Sequence, residues 1–209
     1  MGTYVKSNFG KISGKVGNGV ASKWRGINYL RSTPTKTKRP HTPAQLAVHA
    51  KLVLSAALLS PVKDILKIGF CDKKLNGISG YNAAVKTFIT NSILGEYPEY
   101  IIDYPGMQFS RGSLSHLQSL ALENSPELSI IWKTKVNGVN SFNDDVVFII
   151  TYNQHKNLYT VDNLARRVSA KAILDLEAHP GDTLHVWAFC VKRDGKDTSK
   201  TQYVGSITV

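Results

Sequence analysis

Acidic residues are missing from the first sixty-three positions of this 209-residue chain; the first is Asp64. Eleven basic residues precede it, from Lys6 to Lys63. A one-signed stretch of that length repels itself unless something anionic lies against it. That absence points to nucleic acid, an acidic protein face or an anionic surface as the partner. Cysteine is nearly absent as well. Cys71 and Cys190 sit far apart, with no CxxC pair and no metal-type spacing, which excludes a disulfide framework and a zinc module. Two idle thiols in a reducing compartment is the plain reading. No run of eighteen or more apolar residues occurs, and Met1–Lys6 lacks a charged stretch leading into an apolar one. A soluble protein made without a secretory signal, cytoplasmic or in a virion, is expected. Gly2 follows Met1, but Lys6 stands where a myristoylation motif wants Ser or Thr. Internal repeats are also missing.

What is present is asymmetry. The formal charge of +11 lies wholly in residues 1–100, with fifteen Lys and Arg against four acidic residues, while residues 101–209 hold eleven of each. The apolar share of 42% is ordinary for a chain that buries a core. Residues 9–20 space glycines among lone apolar residues, which suits turns and close backbone approach better than a regular element. Residues 20–31 turn strand-like, with Gly26 between two runs, and predict a short hairpin or bent ribbon. Residues 32–41 are polar, basic and proline-bounded, an extended linker.

Thr42-Pro43-Ala44-Gln45 is a helix start: Thr42 to cap, Pro43 at the first helical position, Gln45 to close a capping box. The helix through Leu59 is apolar nearly all round, so it is buried or packs against another subunit. Ser60-Pro61 opens a second helix ending near Gly69, and a third runs from about Gly80 to Leu94 with Gly95 at its C′ place. After Pro98 the texture becomes alternating. Candidate strands cover 99–104, 107–110, 114–122, 128–134, 145–152, 158–161, 169–176, 183–192 and 201–209. Roughly seven of these at intervals of about ten residues predict an immunoglobulin or fibronectin III-like sandwich with Trp132 in its core.

Catalytic and metal motifs fail on spacing. Gly10–Val16 has three residues between glycines where a phosphate loop needs four, and Val16 stands in the metal-binding place. The six histidines show no helical pairing with a carboxylate or cysteine. Ser110-Arg111-Gly112-Ser113 lacks the glycine frame of a nucleophile elbow. Asp144-Asp145 before Val146-Val147-Phe148 reads as a turn entering a strand. The basic arm remains. Lys11, Lys15, Lys23, Arg25, Arg31, Lys36, Lys38 and Arg39 interleave with Trp24 and Tyr29, and cations among aromatics can track a phosphate backbone or stack on bases. The alternative is a solvated basic face with Trp24 and Tyr29 in the helical core. No base-reading motif is present, so charge would give sequence-independent binding.

Gly14-Lys15-Val16-Gly17, Trp24-Arg25-Gly26, Tyr29-Leu30-Arg31-Ser32, Thr42-Pro43-Ala44-Gln45, Tyr97-Pro98, Asp103-Tyr104, Ser110-Arg111-Gly112 and Gln202-Tyr203-Val204-Gly205 together resemble a family of small Bacteroidota proteins catalogued only as a domain of unknown function. The resemblance spans nearly the whole chain and implies no reaction or cofactor. The arm pattern leading into the TPAQ helix start is also similar to segments of phage-encoded proteins.

The expectation is an α+β protein. A basic β-ribbon and short helices over 1–98 precede an antiparallel β-sandwich over 99–209. Its expected role is a non-enzymatic structural or assembly protein of phage or mobile-element type, without cofactor, metal, membrane or small-molecule substrate. The expected partners are copies of itself in an oligomer or larger assembly, and nucleic acid. The alternative is a monomeric, sequence-independent nucleic-acid-binding protein.

Overall fold

A computed structural model of the chain describes residues 2–4, 12–35, 40–71, 77–124, 127–174 and 179–209. It separates into two compact units, Met1–Thr42 and Pro43–Val209. Compactness divides the chain after Thr42, whereas the change from helical to strand-like sequence comes at Pro98. The two differ because one follows contacts and the other local propensity.

The first unit is one antiparallel sheet. Its strands are β1 (Gly2–Tyr4), β2 (Gly14–Val16), β3 (Gly19–Trp24) and β4 (Ile27–Ser32), in the order β1-β4-β3-β2. The expected hairpin is β3–β4, closed by Arg25 and Gly26 with φ of 47° and 87°. Two successive positive φ values mark the turn whose twist matches a two-residue hairpin. The glycine-rich stretch departs from expectation: Gly14–Val16 is a strand paired with Gly19–Ala21. Gly17, at φ 56°, makes the tight reversal between them. The expected linker is described at 32–35 and 40–41, and its residues 36–39 lie outside the described residues.

The second unit holds three helices and nine strands among its described residues. Helix α1 (Pro43–Leu59) starts at the expected proline. Helix α2 (Lys63–Gly69) follows a turn through Ser60–Val62. Helix α3 (Gly80–Asn91) is capped by Ser79, whose hydroxyl accepts the Asn82 N–H at 3.2 Å. It ends three residues before the expected Leu94. Ile93-Leu94 instead begins a hairpin, β5 (Ile93–Glu96) with β6 (Glu99–Ile102), turned at Tyr97-Pro98. Gly95 therefore serves the hairpin, where a Cβ would meet the Glu99 carbonyl at 2.6 Å, and caps no helix.

The remaining strands are β7 (Gln118–Asn124), β8 (Leu128–Lys133), β9 (Val146–Asn153), β10 (Leu158–Asp162), β11 (Lys171–Ile173), β12 (Thr183–Val191) and β13 (Gln202–Thr208). They form a three-stranded sheet, β11-β8-β7, and a four-stranded sheet, β10-β9-β12-β13, both antiparallel. Residues 107–110, expected as a strand, are irregular. Their backbone turns to a side chain instead, with the Phe109 and Ser110 N–H groups both donating to Thr201 Oγ1 at 2.9 and 2.8 Å.

Two cores explain why β9 and β12 are apolar almost residue by residue. Val147, Ile149, Val186, Ala188 and Cys190 face Ile130, Trp132 and Ala172 of the smaller sheet. Phe148, Ile150, Trp187, Phe189 and Val191 face the other way, into a core shared with Leu59, Leu66, Ala84 and Phe88 of the helices. A strand covered on both faces has no solvent side on which to place polar residues. Trp132 is buried as expected, its indole N–H donating to the Arg167 carbonyl at 2.7 Å. Each fully buried large side chain in such a core contributes about 1.5–3 kcal/mol.

Of the two expectations for α1, burial in the chain's own core holds only at its C-terminal end. At its C-terminal end Ser55, Leu58 and Leu59 are buried and Leu54 packs partly buried against the core. Leu46, Val48, Leu52 and Val53 stay exposed, Val53 at 69% of its surface. The chain's own core cannot cover a helix that is apolar on every side, because packing against α3 and Tyr100 reaches one side only. No described helix is long and apolar enough to cross a membrane.

Candidate functional site

The register of the N-terminal sheet sorts the sequence-predicted residues by face. Cross-strand partners in an antiparallel pair share a side, and alternate residues oppose. Val20 pairs with Lys15 on one flank and Arg31 on the other, and Tyr29 pairs with Ser22 and Thr3. Trp24 pairs with Ile27. One face therefore collects Lys15, Val20, Trp24, Ile27, Tyr29 and Arg31. Lys23 falls on the opposite face with Ala21 and Asn28. Arg25 sits in the turn, its guanidinium carbon 5.3 Å from the Trp24 ring centroid. Stacking of this kind holds both groups flat at an exposed site.

Of the ten residues expected to bind, four share the face, Lys23 lies behind it and Arg25 stands at its end. Lys11, Lys36, Lys38 and Arg39 lie outside the described residues. Trp24 is 52% exposed and Tyr29 half-buried, so Trp24 is not a core residue. Among the described residues of the sheet only Ala21 is buried. Lys15, Lys23 and Arg31 have no acidic partner nearby in sequence, none existing before Asp64. Sequence reasoning missed Val20 and Ile27 as members of the face. The pairing of Ser22 with Tyr29 across a two-residue turn would have found both.

A second surface lies on α1. Packing reaches it from one side, where the Tyr100 hydroxyl donates to the Ala47 carbonyl at 3.3 Å and Lys51 sits 5.2 Å over the Tyr100 ring. Leu46, Val53 and Ala57 are exposed, and Ala50 between them is half-buried. Their spacing of four, three and four residues forms one seam along a helix. Lys51 is the single charged residue in α1, and it lies on the packed side.

Ser110, Asp145 and His185 are each engaged in contacts within the chain. Ser110 is buried, and its Oγ donates to the Ser199 carbonyl at 2.8 Å and meets Thr201 Oγ1 at 2.8 Å. Asp145 follows the turn at Asn143-Asp144, and its Oδ2 accepts from Phe142 N–H at 2.9 Å and from buried Arg167 Nε at 3.1 Å. His185 is stacked on Tyr104 with ring centroids 3.8 Å apart, and its ring nitrogens meet Tyr203 Oη and Gln154 Oε1. Burial holds its pKa below the usual histidine value. Among the described residues no three His, Cys, Asp or Glu side chains are grouped to hold a metal ion.

Fold and surfaces together define an α+β protein of antiparallel sheets and three helices, carrying a separate basic N-terminal sheet. The chain belongs to the family of unknown function DUF6266, whose model matches residues 11–205. No curated protein and no solved structure matches it.

Proposed function

We propose that the protein is a non-enzymatic structural or assembly subunit that forms a homo-oligomer or a larger assembly. In this reading α1 docks on a second copy and the basic sheet engages neighbouring subunits or nucleic acid. The observation that carries it is the charge-free apolar seam Leu46-Ala50-Val53-Ala57, exposed at Leu46, Val53 and Ala57 and half-buried at Ala50. A contiguous apolar helix face in water is unfavourable, and covering it recovers about 25 cal/mol per Å² of apolar surface. Small residues alternating with larger ones at four-three-four spacing let two such helices approach closely and interdigitate. The phage or mobile-element setting rests on the likeness of the arm pattern alone.

The body then serves as a rigid support of the immunoglobulin or fibronectin III kind. Taken in chain order, its seven strands from β7 divide into first, second and fifth in one sheet and fourth, third, sixth and seventh in the other. That division supports the reading, since it parallels the A-B-E and C-F-G division of an immunoglobulin-type sandwich with a C′ strand in place of D. The helices are an addition on the outer face of the larger sheet.

Light scattering tests the assembly reading. An oligomer that grows with protein concentration and is broken to monomer by Val53→Glu, with unchanged circular dichroism, is expected. A wild-type monomer at every concentration overturns it. The second reading, sequence-independent nucleic-acid binding, is favoured by Lys15 and Arg31 sharing a face with Trp24 and Tyr29. Phosphate contacts would make affinity for a single-stranded oligonucleotide fall steeply with salt. A salt-insensitive affinity, or no binding at low salt, removes this reading.

A further inference from the structure

The second unit contains a cleft of about 580 Å³, within the size range of small-molecule sites. Its wall on one side is a single stripe of α3, in which Lys86 and Asn91 lie a turn or so apart beside Thr87 and Thr90. Gln108, Arg111 and Lys200 close the opposite side. Three cations thus line one concavity, and no carboxylate lines it among the described residues. Among the described residues no carboxylate forms an ion pair with Lys86, Arg111 or Lys200.

The Arg111 backbone is held unusually firmly. Its N–H donates to the Gly69 carbonyl at 2.9 Å, and Thr198 Oγ1 donates toward the carbonyls of Gly69 and Arg111. On one side Ser110 is fastened to Ser199 and Thr201. On the other, Gly112 lies so close to Thr198 that a Cβ would come within 2.0 Å of its carbonyl oxygen. This anchoring fixes where the guanidinium emerges. The Arg111 side of the cleft is therefore anchored through its backbone and both flanking residues.

We propose that this cleft binds the phosphate group of a small phosphorylated molecule. One-signed charge in a cleft focuses field and concentrates the opposite ion. The planar guanidinium of Arg111 supplies paired donors of the geometry that phosphate takes, the two lysines supply point charges, and the amides of Asn91 and Gln108 add neutral donors. Thr87 and Thr90 already donate their hydroxyls to the helix carbonyls of Ala83 and Lys86. They present their remaining surface as wall. Ile78 and Ala83 give the cleft an apolar side for the carbon skeleton of an ester. The site is independent of the N-terminal sheet and of the α1 seam, so it stands or falls apart from the assembly reading.

The test is calorimetric titration of the full chain with inorganic pyrophosphate at about 20 mM salt, where screening is weak. Saturable binding with one site per chain is expected. Arg111→Ala should weaken it about tenfold or more, and Arg111→Lys should restore only part of the loss. Lys86→Glu, on an exposed helix face, provides a second variant that leaves the backbone anchors untouched and should abolish binding. Lys171→Ala on the far sheet and Lys15→Ala in the arm should leave it unchanged. The proposal is overturned if pyrophosphate shows no saturation, or if Lys171→Ala or Lys15→Ala weakens binding as much as Arg111→Ala does. Binding of glycerol 3-phosphate with the same variant pattern would support the apolar side as the ester's seat; pyrophosphate binding without any phosphoester binding overturns the ester assignment.

Discussion

Removing the Arg167 side chain should destabilise the second unit more than any surface substitution. Arg167 is 1% exposed and Asp145 fully buried, and they meet at 3.1 Å. Arg167 emerges from a single 3₁₀ turn, Arg167–Ser169, and spans to the carbonyls of His116 and Ser115 at 3.2 and 2.9 Å. It thereby ties the entry of β7 to the entry of β9. Asp145 depends on it heavily, because Oδ1 has no hydrogen-bond partner among the described residues. Arg167→Ala leaves a buried carboxylate without its cation and two carbonyls without their donor. Breaking such a pair from one side costs about 3–5 kcal/mol. For a domain of this length each kcal/mol lowers Tm by about 2–4 °C, so a fall of roughly 6–20 °C is expected. Arg167→Lys should recover little, since an ammonium cannot reach three acceptors in one plane. Thermal melts followed by circular dichroism measure the single variants, Asp145→Asn and the double variant. The double variant should lose clearly less than the sum of the singles. Losses below about 1 kcal/mol for both singles, or strict additivity, would refute the idea that the pair acts as one buried unit.

Other outcomes follow from the same contacts. Cys190 is fully buried and burial pushes its thiol up to about 12, whereas Cys71 is partly exposed, so a thiol reagent at pH 8 should label one cysteine in the native protein and two after unfolding. Gly112→Ala and Gly69→Ala each place a methyl about 2.0 Å from a backbone oxygen, and each should cost roughly 1–3 kcal/mol or more in urea unfolding. His185 has a native pKa lowered by burial. The unfolded chain therefore takes up a proton first, and the stability His185 contributes is complete above its unfolded value of about 6.5 and declines as pH falls through it. Melting temperatures measured between pH 7.5 and 5 should fall in wild type and fall less in His185→Gln; equal slopes would count against it.

Much of the fold is legible in the sequence because local signals and tertiary contacts agree. Pro43 starts α1, Gly26 stands in the turn of the expected hairpin β3–β4, and most strand segments after residue 117 lie where alternation placed them. The departures arise where a tertiary contact overrides the local pattern. Residues 107–110 look strand-like, but their N–H groups are taken by Thr201, more than ninety residues away. Ile93-Leu94 continues the apolar pattern of α3, yet Ile93 pairs with Ile102 across a turn at Tyr97-Pro98. The alternation of Leu184, Val186 and Ala188 gives half the truth of β12, since Trp187 and Phe189 on its other side are equally buried under helices. Periodicity reports that a face is apolar; it does not report what covers it. The cleft lined by Lys86, Arg111 and Lys200 was invisible for a related reason. Its residues come from three places in the chain, and none carries a motif.

The charge asymmetry takes on a different meaning once register is known. Along the chain, the basic residues before Asp64 form one undivided run. In the sheet they separate, with Lys15 and Arg31 beside the aromatics on one face and Lys23 on the other. A face that mixes exposed Trp24 and Ile27 with cations has a cost in water from both ingredients: apolar area left wet and like charges left adjacent. Only a partner that is both anionic and able to cover apolar surface relieves the two together. Free counter-ions meet the first need and not the second, whereas stacked bases on a phosphate backbone, or an acidic protein face with an apolar centre, meet both. Substituting Trp24→Ala and Arg31→Ala separately therefore distinguishes these partners. With nucleic acid as the partner, Arg31→Ala should reduce the salt dependence of binding by about one phosphate contact, and Trp24→Ala should cost about 1–3 kcal/mol with the salt slope unchanged. If neither substitution alters oligonucleotide binding while both weaken self-association, the face belongs to a protein neighbour.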